Sequence, residues 1–145
     1  MNSINVIIAG GRDFEDYQYL ADSCDNVLYE HKRVIVFSGN CPRGADLLGE
    51  RYSAYRGRQV RRFPADWAED GVSAGFVRNK KMAKMAGKGN ILIAFWDGKS
   101  KGTENMIKHA KKYKLQIHIF RYGKSKKNKK DRRQSKSKSK LRRSN

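Results

Sequence analysis

The chain has 145 residues, with 33 Lys/Arg against 14 Asp/Glu and a formal net charge of +19. That length can bury the core of one domain, and two cysteines exclude both a disulfide framework and a cysteine-based metal site. The charge is uneven: residues 123–145 hold 12 of the basic residues and one acidic residue, which leaves +8 on residues 1–122. No stretch approaches the roughly 18 apolar residues of a membrane span, and the first apolar run is too short for a secretory leader. A soluble, cytoplasmic protein is the expectation.

Ile4–Ala9 is short, β-branched and apolar at its end, as expected of a strand buried on both faces of a parallel sheet. Gly10-Gly11 stops it. From Asp16, apolar residues at 3.6-residue spacing (Tyr17, Leu20, Ala21, Cys24, Val27, Leu28) predict a helix to about residue 30. Arg33–Phe37 repeats the strand pattern and enters a turn-rich loop, Ser38 to Asp46. A second helix carries Leu48, Tyr52 and Tyr55 and ends near Gly57. Gln59–Phe63, with basic residues at alternate positions, predicts an edge strand.

Pro64 to Gly75 reads as an irregular crossing loop. Phe76 to Ala86 predicts a third helix, closed by Gly87 and Gly89. Asn90–Phe95 is the strongest strand, Thr103–Tyr113 the last helix, and Leu115–Phe120 a fifth strand. Beyond Tyr122 the composition becomes Lys, Ser, Arg and Asn, so 123–145 is expected to be a disordered basic tail following a domain at 1–122.

Alternating strands and helices of these lengths imply right-handed crossovers. The expected fold is a Rossmann-like α/β/α sandwich on a mainly parallel five-stranded sheet. Ligands of such sheets bind beyond the carboxyl ends of the strands, where four loops would meet. The first holds Gly10, Gly11, Arg12 and Asp13, with an Arg fork suited to phosphate. The second holds Ser38, Gly39, Arg43, Gly44 and Asp46, and Asp46 suits a helix cap as well as a ligand contact. Asp66 and Trp67 stand on the third, with Trp67 either a base-stacking surface or a core plug. On the fourth, Trp96 and Asp97 precede Lys101, Gly102 and Thr103 at a helix start, where backbone N–H groups and the dipole favour an anion. Thr103 is a good N-cap. Arg78 and Asn79, one turn into the third helix, are placed to reach over the crevice.

Candidate catalytic groups are Glu104, Asp97 and Arg78, although Glu104 fits a dipole partner better than an acid/base. No Walker-type ending, complete Gly-x-Gly-x-x-Gly or histidine cluster with metal-ligand spacing occurs. A nucleotide-type ligand without cofactor or metal is the expectation.

These residues resemble the SLOG superfamily, named for the SMF/DprA and LOG (lonely guy) proteins, and most closely its YspA-like, YpsA-related branch. The matching pieces are Ala9-Gly10-Gly11-Arg12-Asp13-Phe14, Ser38-Gly39 with Arg43-Gly44-Ala45-Asp46, Phe63-Pro64-Ala65-Asp66-Trp67, Ala74-Gly75 with Arg78-Asn79 and Met82, and Ala94 to Gly98 with Ser100-Lys101-Gly102-Thr103. The resemblance implies a Rossmann-like sheet binding a nucleotide or nucleotide derivative, with Gly102-Thr103 corresponding to the phosphate loop of the lonely guy enzymes. Those enzymes are phosphoribohydrolases that release a base from a nucleoside monophosphate using an Arg and a Glu. Here Asp97-Gly98-Lys99-Ser100-Lys101 replaces the Pro-Gly-Gly of that loop, and Gly102-Thr103 is followed by Glu104-Asn105-Met106, without the usual Glu three residues on. The superfamily's ligand sensors in bacterial and phage conflict systems make a non-catalytic binder, from a phage or mobile element, a further implied identity.

Three functions follow as expectations: a binder of ADP-ribose-like, nucleoside phosphate or cyclic nucleotide ligands acting as sensor, sponge or regulator; an N-glycosidase-like phosphoribohydrolase; and a nucleic-acid binder contacting RNA or DNA through 123–145. No membrane partner is expected, and a homo-oligomer is compatible with all three.

Overall fold

A computed structural model of the chain describes residues 2–123. Five strands, β1 (Ile4–Gly10), β2 (Val34–Ser38), β3 (Gln59–Arg62), β4 (Ile91–Trp96) and β5 (Gln116–Arg121), form one sheet in the order β3-β2-β1-β4-β5. Every pairing is parallel. β1 is central: Val6 lies opposite Val36 on one side and Ile91 on the other.

Strands buried on two faces need an apolar layer on each side, and the helices supply them. α1 (Tyr17–Leu28) and α2 (Gly44–Tyr55) cover one face, where Leu20, Cys24, Leu28, Leu48 and Tyr52 pack with Val6, Ile8 and Phe95. α4 (Ala74–Ala86) and α5 (Lys101–Lys112) cover the other, where Met82, Ala83, Met106 and Ile107 pack with Ile7, Ala9 and Leu92. Each fully buried aliphatic side chain contributes about 1.5–3 kcal/mol. β3 lies at the sheet edge as its basic alternation predicts, with the Arg61 guanidinium over the rings of Phe37 and Phe63.

Two local expectations are corrected. The segment from Pro64 to Gly75 is not wholly irregular: it contains a short helix, α3 (Trp67–Asp70), and a 3-10 turn, Gly71–Ser73. Asp66 caps α3, its Oδ1 accepting from the Glu69 N–H at 3.0 Å. The last helix starts at Lys101, so Thr103 is not its N-cap. Ser100 takes that role, accepting from the Thr103 N–H at 3.4 Å, because Asp97 Oδ1 already holds the N–H groups of Lys99 and Ser100 at 2.8 Å each. The basic stretch from residue 124 onward, and with it the nucleic-acid reading placed on the tail, lies outside the described residues. Among the described residues no helix is long and apolar enough to cross a membrane.

Candidate functional site

At the carboxyl ends of β1 and β4, where the strand order reverses direction, a cleft of about 520 Å³ opens between the two helical layers. It receives residues from four loops: Gly10, Gly11, Arg12 and Asp13 after β1; Cys41, Arg43 and Asp46 after β2; Trp67 and Val72 after β3; Asp97, Ser100, Gly102 and Thr103 after β4. Gly75, Phe76, Arg78, Asn79 and Met82 of α4 complete the wall.

Not every glycine in these loops faces the opening for the same reason. A Cβ on Gly10 would lie 2.4 Å from the Phe95 carbonyl oxygen and 2.9 Å from Ala45 Cβ, so its hydrogen allows β1, β4 and α2 to approach. Gly44 has φ +74° and packs directly on the Gly11–Arg12 backbone. The Gly11 carbonyl accepts from the Ala45 N–H at 3.1 Å. The start of α2 is thereby tied to the first loop, and Gly44 serves packing. Gly102 differs. Its φ is not in the left-handed region, and a Cβ added there would meet nothing within 4 Å. Neither the Gly102 N–H nor that of Lys101 has an acceptor among the described residues, since the capping Ser100 serves Thr103 and Glu104. Two unpaired donors therefore stand at the positive end of a twelve-residue helix, and of the two residues Gly102 lines the cleft.

Arg78 and Asn79 join the walls. Arg78 is half-buried, donates through Nη1 to the Gly39 carbonyl and through Nε to Asn79 Oδ1 at 3.0 Å. Asn79, buried, donates to the Gly102 carbonyl at 3.2 Å and to Asn105 Oδ1 at 3.1 Å. Asp46 flanks Gly39 opposite Arg78 and accepts from the Cys41 N–H at 3.2 Å. Burial raises the pKa of Asp46 against the opposing pull of Arg78, and burial likewise lowers that of Arg78. Burial also works against the ionised form of Asp97, but the N–H groups of Ser100 and Lys99 outweigh it and its pKa is lowered.

Several predicted residues stand apart from the cleft lining. Ser38 is buried and donates to Glu50 Oε2 at 2.6 Å; Gly39 is packed between Arg78 and Asp46. Asp66 is occupied as the α3 cap, whereas the adjacent Trp67 lines the cleft with 55 % of its surface exposed. Trp96 donates from Nε1 to the Ser100 carbonyl at 3.1 Å and is covered by Arg121, so it braces the fourth loop from behind. Lys101 and Glu104 sit on the first turn of α5, Lys101 exposed and Glu104 half-buried, and neither lines the cleft.

Sequence reasoning missed Tyr122. Its hydroxyl donates to Asp13 Oδ1 at 2.6 Å and occupies the space above Gly11, while its ring meets Phe14 edge-on. It also missed Val72 and Phe76, which with Trp67 give the cleft an apolar lip; Val72 is 99 % exposed.

The family model described as YspA, cpYpsA-related SLOG family matches residues 4–69, which runs from β1 into α3 and contains the first two loops of the cleft and Trp67 of the third. Over this stretch the chain is similar to the YspA-like branch of the SLOG superfamily. Comparison with curated proteins and with solved structures returns no significant match. This likeness associates the domain in general terms with nucleotide-related ligands. The fourth loop and the wall from α4 and α5 lie beyond the matched residues. Among the described residues, no group of three or more His, Cys, Asp or Glu side chains could hold a metal ion.

Proposed function

We propose that the cleft binds a nucleotide or nucleotide-derived ligand, an ADP-ribose-like molecule, nucleoside phosphate or cyclic nucleotide, as a sensor, sponge or regulator. The observation that carries this reading is the first turn of α5: unpaired N–H groups at Lys101 and Gly102 beside open space at Gly102. A phosphate seated there would gain charge-assisted hydrogen bonds and the helix dipole, with Arg12 reaching in from the first loop. The lip of Trp67, Val72 and Phe76, on the side of the cleft formed by the third loop and α4, suits the planar base. Asp13 and Asp46 are the carboxylates available to ribose hydroxyls.

Binding is favoured over catalysis because the candidate catalytic groups are engaged elsewhere. Asp97 organises its own turn, Arg78 holds Gly39, and Glu104 lies outside the lining. The phosphoribohydrolase reading would rest instead on Asp46, a buried carboxylate with a raised pKa beside an Arg. Calorimetric titration with AMP, ADP-ribose, NAD and cyclic dinucleotides tests the proposal: at least one binds tighter than millimolar, and failure of all four overturns it. Incubation with nucleoside monophosphates, read by chromatography, leaves them intact; release of free base would establish the enzyme.

A further inference from the structure

The two helical layers differ in charge. Segments 74–88 and 98–114, which contain α4, α5 and their flanks, hold eleven Lys/Arg and a single acidic residue, Glu104; the rest of residues 1–122 holds ten Lys/Arg and twelve Asp/Glu. Of the eleven, only Arg78 turns inward, and the ten lysines are all exposed. On the opposite layer acids and bases neutralise one another. Both ion pairs among the described residues, Asp25 with Arg56 and Glu50 with Arg62, involve an acid of α1 or α2, and neither includes a lysine of α4 or α5.

The lysines of the two helices form one surface. α4 and α5 pack side by side through Met82, Ala86, Met106 and Ala110. His109, on α5, has its pKa lowered by burial and then by Lys80 of α4 and Lys112 of α5, so ammonium groups of both helices crowd one point. Lys101 to Lys112 spans about 16 Å along the axis of α5 and Lys80 to Lys84 about 6 Å along α4. Most apolar side chains of both helices pack on the sheet, although Phe76, Val77 and Met85 of α4 are exposed, so a bilayer is the alternative that the vesicle measurement below decides. Long, flexible ammonium side chains on such a surface suit a polyanion of regular, high charge density. Double-helical nucleic acid presents one charge per about 1.7 Å of its axis, so a phosphate is always within reach of each lysine.

We propose that the α4–α5 face is a binding surface for the phosphodiester backbone of double-helical nucleic acid, without sequence readout and separate from the cleft. It is separate also from the basic stretch at 123–145. The test uses the full chain and fluorescence anisotropy with a labelled DNA duplex and the matching RNA duplex, over a salt series. The variant K80E/K84E/K112E is compared with K32E/R33E/R51E, which changes the net charge equally at exposed positions elsewhere. The face variant loses tenfold or more in affinity, and the slope of log K against log salt flattens by about 2–3, as expected for up to three lost phosphate contacts. The control variant changes affinity less than about threefold, since non-contacting charges act only through screened long-range attraction. Whichever duplex binds more tightly identifies the source of the backbone. Equal losses in the two variants would overturn the proposal, because net charge alone would then account for binding. So would failure of the unmodified protein to bind either duplex, or tighter binding to phosphatidylglycerol vesicles than to both. If K80E/K84E/K112E melts at a lower temperature, K80Q/K84Q/K112Q is read against K32Q/R33Q/R51Q by the same criterion.

Discussion

Gly102→Ala separates stability from ligand binding at a single position. Glycine in a helix is about 0.8–1.0 kcal/mol less favourable than alanine in the interior. Gly102 is the second residue of α5, where only part of that difference applies, and an added Cβ meets no atom within 4 Å. The substitution should therefore stabilise the unliganded protein by about 0.5 kcal/mol, a rise of about 2 °C in melting temperature. The same methyl would stand beside the unpaired N–H groups where the phosphate is placed. It should weaken binding of AMP or ADP-ribose, whichever the unmodified protein holds more tightly, by tenfold or more, about 1.4 kcal/mol. Differential scanning fluorimetry without ligand and calorimetric titration read the two effects independently. A lower melting temperature would show that the space at Gly102 is not open. An unchanged affinity, with the unmodified protein binding normally, would remove the phosphate from the first turn of α5.

Gly10→Ala should act oppositely, costing about 1–3 kcal/mol by forcing β1 from Phe95 and Ala45, and urea denaturation should show a lowered midpoint. Trp67→Ala should leave the melting temperature within about 2 °C, since Trp67 is half-exposed, yet reduce nucleotide affinity by about 1–3 kcal/mol if a base stacks there; an unchanged titration would refute the stacking. Asp25 and Asp46 should contribute oppositely to acid stability. The hydrogen bond from Arg56, working against burial, lowers the Asp25 pKa, so its contribution is present at neutral pH and is lost as pH falls below its ordinary value of 3.8 and through the folded one. Burial raises the Asp46 pKa, so its ionised form opposes folding at neutral pH and is relieved on protonation. Carboxyl NMR titration should find Asp46 protonating at higher pH than Asp25, and the reverse order would contradict the assignment.

The fold was legible because each strand is a short β-branched run buried on two faces and each helix shows a 3.6-residue stripe. Ile4–Gly10, stopped by Gly10-Gly11, and Ile91–Trp96, between Gly89 and Gly98, could hardly be anything else. The convergence of four loops followed from topology. What could not be read was the use of polar atoms by partners far along the chain. Arg78 looks free in sequence, yet Gly39 lies 39 residues before it and takes its guanidinium. Asn79 seems incidental, yet it holds the turn at Gly102 from 23 residues away. Thr103 was a sound cap by type, and Ser100 displaced it because Asp97 had already turned the backbone before it. The Asp13 carboxylate is held from a distance of 109 residues by Tyr122, which no local pattern could reveal.

The central position of β1 also sets an order of events during synthesis. Of the five strands it is the first to be made, and β2 covers one of its edges after about thirty residues, but the other edge pairs with β4, Val6 against Ile91, 85 positions downstream. Until then Ile7 and Ile8 sit on an open, apolar, parallel edge, the kind of template that captures foreign strands. A chain stalled or cleaved anywhere between α3 and β4 would carry the whole family-matched stretch and still present that edge to its neighbours. The strand that closes it also supplies the loop proposed to hold phosphate, so protection from aggregation and competence to bind arrive in the same folding step.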